Sequence, residues 1–177
     1  MHSPHVQRAQ DGLVGGQHHD ISGGGSNLLC LPHGPIWANT TKKFEDTATI
    51  YGSGYQFEAY ATDPLFSFEN AEKLNDHVAP CAVCVTRKPA AVMMLPGRTK
   101  CCSGWTIEYY GYLMSECDNG KGRHDYVCVD YAPETCPDIY VNKNGSSLHF
   151  VQTTNYTMPY QMYESGRELT CVVCSKY

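Results

Sequence analysis

The sequence predicts an all-β domain, rich in disulfides and carrying at most one short helix. Three observations lead there. Short runs rich in β-branched and aromatic residues follow one another over 81–86, 90–95, 105–114, 126–131, 139–141, 147–153 and 169–173. Breakers separate them, among them Pro89, Pro96-Gly97, Asn119-Gly120, Pro133, Pro137 and Asn144-Gly145, and many short strands between turn signals make a β-dominated domain. The chain also holds ten cysteines, an even and high count that suits disulfides formed in an oxidising compartment.

Taken in order, residues 1–26 are polar and Gly-rich and predict a flexible arm, with His2, His5, His18 and His19 as solvated side chains. The segment has no apolar leader core, so either a leader has been removed or the chain is cytosolic, and the cysteine count favours the first. The folded domain is expected over 27–177, opening at Asn27-Leu28-Leu29-Cys30-Leu31-Pro32. Over 46–60 two β-rich runs flank Gly52-Ser53-Gly54, the signal of a hairpin or bulge. The short helix is placed at 63–76, where Asp63 caps, Pro64 fits the first turn and Ala71-Glu72-Lys73-Leu74 are good helix formers.

The run 105–114 is the expected centre of the sheet. By strand alternation Trp105, Ile107, Tyr109, Gly111 and Leu113 share an apolar face, while Thr106, Glu108, Tyr110, Tyr112 and Met114 share the other. The second face suits a half-buried or interface-facing surface, and the aromatic residues of the run from both faces, Trp105, Tyr109, Tyr110 and Tyr112, are the candidate binding residues.

Charge and hydropathy exclude some classes. A formal net charge of −5 without any Lys/Arg run argues against nucleic-acid binding. No apolar run reaches the roughly 18 residues of a membrane-spanning helix. Three sequons, at Asn39, Asn144 and Asn155, are candidate glycosylation sites of a secreted protein.

The cysteines are Cys30, Cys81, Cys84, Cys101, Cys102, Cys117, Cys128, Cys136, Cys171 and Cys174, all expected in disulfides. Two local pairs share the pattern Cys-x-Val-Cys, at 81–84 and 171–174. A zinc knuckle puts such a pair on a turn, whereas these spacers are Ala-Val and Val-Val inside strand-like runs, where the two sulfurs face opposite ways. Two different disulfide partners fit better than one metal, so neither a metal site nor a cofactor is expected. No activated nucleophile stands out. Asp76-His77 and His124-Asp125 are adjacent acid–imidazole pairs and Arg98 flanks a turn, which makes His77, His124, Arg98 and Tyr110 the candidate catalytic residues against a reading as exposed loop polars.

Five blocks carry a family resemblance: the opening at 27–32, Val78-Ala79-Pro80-Cys81-Ala82-Val83-Cys84, the run 96–114, Tyr126-Val127-Cys128-Val129-Asp130, and Glu168-Leu169-Thr170-Cys171-Val172-Val173-Cys174. Together, and in order, they resemble the C-terminal non-collagenous domain of the short-chain collagens of sponges and the similar proteins of molluscs and cnidarians. More distantly, Cys102-x-Gly104-Trp105 and Gly111-Tyr112-x-Met114 are similar to stretches of the collagen IV non-collagenous domain. The resemblance implies a secreted, β-rich, disulfide-bonded module that assembles with itself as a trimer or hexamer. The collagen repeat itself is absent from the sequence, which leaves a free-standing head domain. One of Cys101 and Cys102, with Cys117 and Cys136, adds to the usual pattern. The expected function is therefore association, with itself and with a matrix, glycan or biomineral. The alternatives are a lectin-like protein and a cofactor-free hydrolase or oxygenase with a pocket lined by Tyr and His.

Overall fold

The computed structural model describes residues 6–38, 48–56, 65–66, 74–136, 145–154 and 162–177. Among them are nine strands: β1 (Val6–Gly16), β2 (Leu29–Pro32), β3 (Tyr51–Tyr55), β4 (Pro80–Thr86), β5 (Ala91–Pro96), β6 (Thr106–Ser115), β7 (Val127–Asp130), β8 (Ser146–Phe150) and β9 (Thr170–Lys176). They join one sheet in the order β2-β1-β3-β8-β6-β9-β5, with β4 added to β1 and β7 to β6. The described residues contain no α-helix, and the chain is all-β as expected. No helix of the described residues is long and apolar enough to cross a membrane. The helix expected at 63–76 and the strand at 139–141 lie largely or wholly outside the described residues, as do the three sequon asparagines.

Two expectations are corrected. Residues 1–26 are not simply an arm, because Val6–Gly16 forms β1, which pairs with β2, β3 and β4. Its glycines mimic a loop in sequence, yet they are what close packing requires. A Cβ on Gly12 would lie 2.0 Å from the Leu31 carbonyl oxygen, and one on Gly16 would lie 2.8 Å from Ser146 Oγ. His18 and His19 are likewise held, their rings stacked at 4.6 Å, with His18 edge-on to Tyr51. Nor does Gly52-Ser53-Gly54 form a hairpin turn. It lies inside β3, which runs parallel to β8 with Ser53 beside Ser146, and small residues admit the close approach of β1, β3 and β8.

The registers expose a repeat that the sequence shows only as the Cys-x-Val-Cys echo. In the first unit Gly12, Leu13 and Val14 of β1 face Pro32, Leu31 and Cys30 of β2, while Gly12 faces Cys81 of β4. In the second unit Gly111, Tyr112 and Leu113 of β6 face Asp130, Val129 and Cys128 of β7, while Gly111 faces Cys171 of β9. The correspondence extends outward. A bulge falls at Ala9 in β1 and at Glu108 in β6. Val14 donates its N–H to Ala79 O, as Leu113 does to Leu169 O. The isolated bridge Gly54–Val78 matches Gln152–Glu168, and the left-handed residue Asp76 (φ 61°) matches Gly166 (φ 79°). The chain is two copies of one strand arrangement, β1-β2-β3-β4 and β6-β7-β8-β9, with β5 between them in sequence.

Each unit is fastened in the same way. Cys30–Cys81 ties β2 to β4 across β1, and Cys128–Cys171 ties β7 to β9 across β6. Both bridges pass over the glycine of the middle strand, and a Cβ on Gly111 would lie 1.9 Å from Val129 O. The third bridge, Cys101–Cys174, has no counterpart. Cys101 stands ten residues before Gly111, and ten residues before Gly12 the sequence has His2. Cys84, the equivalent of Cys174, is accordingly a free, exposed thiol. Cys102, Cys117 and Cys136 are also free, so six of the ten cysteines are paired and the expectation of disulfides for the remaining four is corrected. Cys102 follows directly on a paired cysteine and faces solvent.

The core draws on both units. Tyr55, Phe66, Leu74 and Ala79 meet Met114, Leu148 and Phe150, with Phe66, Tyr112 and Phe150 in mutual ring contact. Removing that apolar surface from water is the main stabilising term. The bulge at Glu108 breaks the expected alternation of 105–114. Ile107 sits opposite Cys174 and Tyr109 opposite its neighbour Val173, so the two point to opposite faces. Tyr109 is half-buried and donates its hydroxyl to Cys128 O at 3.1 Å. Burial, with the nearby Asp130 and Cys84, pushes its phenol up to about 12.

Candidate functional site

β6 runs out at Ser115 and turns into Glu116-Cys117, while β8 brings Ser147 and His149 alongside through the pair Ser115–His149. A cleft of about 150 Å³ opens here, lined by His19, Gly54, Gln56, Cys117, Gly145, Ser146, Ser147 and His149. His19 comes from the first unit and is fixed by its backbone N–H to Gly145 O, with Nδ1 also 3.2 Å from that oxygen. The cleft therefore lies where the two units meet.

Glu116 is the buried charge of this region, its side chain only 3% exposed. Such a carboxylate needs donors, and Ser147 supplies two: its backbone N–H to Oε2 at 3.1 Å and its hydroxyl to Oε1. Two imidazoles flank it, His124 Nε2 at 3.8 Å and His149 Nε2 at 4.0 Å. His124 is fully buried, its Nε2 2.9 Å from Ser147 O and its Nδ1 3.2 Å from Asp125 O. His149 is partly exposed at the cleft; burial holds its pKa below the ordinary value, against a raising effect of Glu116. Glu116, Cys117 and His149 each offer one ligand atom, and these atoms all lie within 4.8 Å of one another. Ser146 lines the same cleft, and its buried Oγ has no hydrogen-bond partner among the described residues.

The residues singled out in the sequence are scattered. His124 lies behind this cluster, packed against Glu116. His77 is buried elsewhere, with Nδ1 2.9 Å from Asn75 O, and belongs to the β3 connection. Arg98 is exposed in the turn after β5. Tyr110 is 43% exposed and stacks on Tyr131. Tyr112 packs on the core rings, and Trp105 lies under the Lys176 ammonium. No shared pocket joins His77, His124, Arg98 and Tyr110 among the described residues. Glu116, Cys117 and His149 were missed because nothing in their spacing marks them. Two lie next to each other and the third is a strand away, and only the β6–β8 pairing brings them together.

A second surface is also distinctive. In β4 the four consecutive residues 82–85 are exposed, with Val83 45% and Val85 53% accessible. Among the described residues β4 pairs with β1 alone. Its counterpart β9 is flanked on both sides, by β6 and by β5. No family model matches the sequence, and no solved structure matches the fold.

Proposed function

We propose that this protein is a secreted structural module that works by association with further copies of itself, through strand addition at the open edge of β4. The observation that carries this reading is the inequality of the two units. β9 has β5 along its outer edge, while the equivalent edge of β4 carries no strand among the described residues and exposes Val83 and Val85. An apolar strand with a free row of N–H and C=O groups is a template for another strand. A strand added along this edge would pair those groups and cover Val83 and Val85. The three disulfides suit an oxidising, extracellular setting, and the resemblance to collagen head domains implies a trimer or a pair of trimers.

Light scattering on the native protein tests this. The expected result is a trimer or hexamer that falls to monomer in the double variant Val83→Lys, Val85→Lys. Both side chains are exposed, so the circular dichroism of the variant stays that of the parent. A parent protein that is monomeric at all concentrations overturns the proposal, as does an oligomer indifferent to the two lysines.

A further inference from the structure

We infer that the cleft at the junction of the two units is a binding site for a borderline-soft divalent cation, zinc in the first place, held by Cys117 Sγ, an imidazole nitrogen of His149 and a carboxylate oxygen of Glu116. The donor set is one thiolate, one imidazole and one carboxylate. Calcium and magnesium select oxygen ligands, whereas this combination suits zinc and its neighbours. Three protein ligands leave a tetrahedral ion one open position, and the cleft supplies space for water there.

The geometry is close to what such an ion needs. Bonds of about 2.0–2.3 Å put tetrahedral ligand atoms roughly 3.3–3.7 Å apart, and the three atoms already lie within 4.8 Å. Side-chain rotation of about an ångström closes the set. A surrounding shell is in place as well. Ser147 holds both carboxylate oxygens of Glu116, and His124 stands behind them. Outer partners of this kind orient metal ligands and tune affinity.

The repeat argues that this donor set is a feature of one unit rather than of the scaffold. The β1–β3 pair Gly16–Tyr51 corresponds to the β6–β8 pair Ser115–His149. The first unit therefore has Gln17, His18 and Tyr51 where the second has Glu116, Cys117 and His149. In the first unit the set closes on itself, with His18 edge-on to Tyr51 at 4.9 Å and the Gln17 amide donating to Ile21 O and Gly23 O. The same three places hold a ring contact and a satisfied amide in one copy, and three metal donors in the other.

The full chain, freed of metal with chelator and with its disulfides intact, is titrated with Zn²⁺ by calorimetry and with Co²⁺ by absorption. One equivalent of zinc is expected to bind, and cobalt is expected to give a thiolate-to-metal charge-transfer band. Cys117→Ser abolishes the band, and His149→Ala weakens binding of both ions. Ser147→Ala, which removes one outer donor, lowers affinity by about 10–100-fold while the band keeps its shape. Cys84→Ser and Cys102→Ser, at exposed thiols, leave both signals unchanged. Absence of the band in the parent protein, or a band that survives Cys117→Ser, overturns the inference. If Cys117→Ser misfolds by circular dichroism, alkylation of the native protein decides instead: zinc protects Cys117 and not Cys84 or Cys102 if the inference holds, and protects none of the three if it fails.

Discussion

At the scale of single residues, the glycines of the two middle strands matter more than any polar group. Gly12 and Gly111 occupy the same place in the two units, beneath a disulfide that joins the flanking strands. A methyl on Gly111 would sit 1.9 Å from Val129 O, and a backbone carbonyl held in a ladder cannot step aside cheaply. Gly111→Ala is expected to destabilise the protein by about 1–3 kcal/mol or more through overpacking. Gly23→Ala, with open space around it, is expected to stay within about 0.5 kcal/mol of the parent. Urea unfolding measures both, and equal midpoints would show that the crossing is not tight. Neither Gly12 nor Gly111 lies at a turn. In the sequence Gly12 reads as part of a linker and Gly111 as a weakness in a strand, and the reason for each appears only when β2 or β7 is laid alongside.

At the scale of elements, β1 is the one whose sequence misleads most. Gly12, Gly15 and Gly16 and the polar run Gln7-Arg8 look like a linker, whereas the strand is the middle of the first unit, with β2, β3 and β4 all bonded to it. Removal of residues 1–16 is therefore expected to unfold the first unit rather than trim an arm. Cys30 and Cys81 flank β1 and would lose the strand they clamp. Limited proteolysis and far-ultraviolet circular dichroism of the truncated chain read this out; a trimmed protein with native strand content and resistance would return residues 1–16 to the role of an appendage. The later strands were readable because their signals are local. The runs at 81–86, 90–95, 105–114, 126–131, 147–153 and 169–173 are apolar or alternating, with Pro, Gly or Asn in most of the segments between them, and β4 to β9 fall on them within a few residues. The run at 46–60 misled for the same reason as β1, since Gly52-Ser53-Gly54 is small for packing rather than for turning.

At the scale of the molecule, the two units share one core. Leu74, fully buried, comes from the first unit, and Met114, fully buried, from the second, within one cluster that also contains Tyr55, Phe66, Leu148 and Phe150. The repeat does not divide the protein into two independently stable halves. Leu74→Ala is expected to cost about 2–5 kcal/mol, and to lower the stability of β6–β9 together with that of β1–β4. Unfolding followed at once by far-ultraviolet signal and by Trp105 fluorescence, with Trp37 replaced by Phe, tests this. Coincident transitions shifted equally by Leu74→Ala are the expected result, while two separate transitions with only one shifted would mean that the units fold apart. The two units nonetheless differ at their margins. β5 pairs with β9, while no strand among the described residues lies along the outer edge of β4, and Glu116, Cys117 and His149 stand where the first unit has Gln17, His18 and Tyr51.

The sequence by itself determined the class of this protein: short punctuated runs predicted its β character, and the cysteine count predicted disulfides, of which three form. It also showed the Cys-x-Val-Cys echo, the local trace of the repeat. Tertiary structure alone decided the rest. Which cysteines pair depends on register, because Cys81 meets Cys30 only when both lie across β1, and Cys84 stays free for want of a cysteine opposite. Which faces of 105–114 are inside depends on the bulge at Glu108, a backbone event with no residue signature. The Glu116–Cys117–His149 cluster depends on β8 pairing with the end of β6, a contact between segments some thirty residues apart that no local pattern encodes.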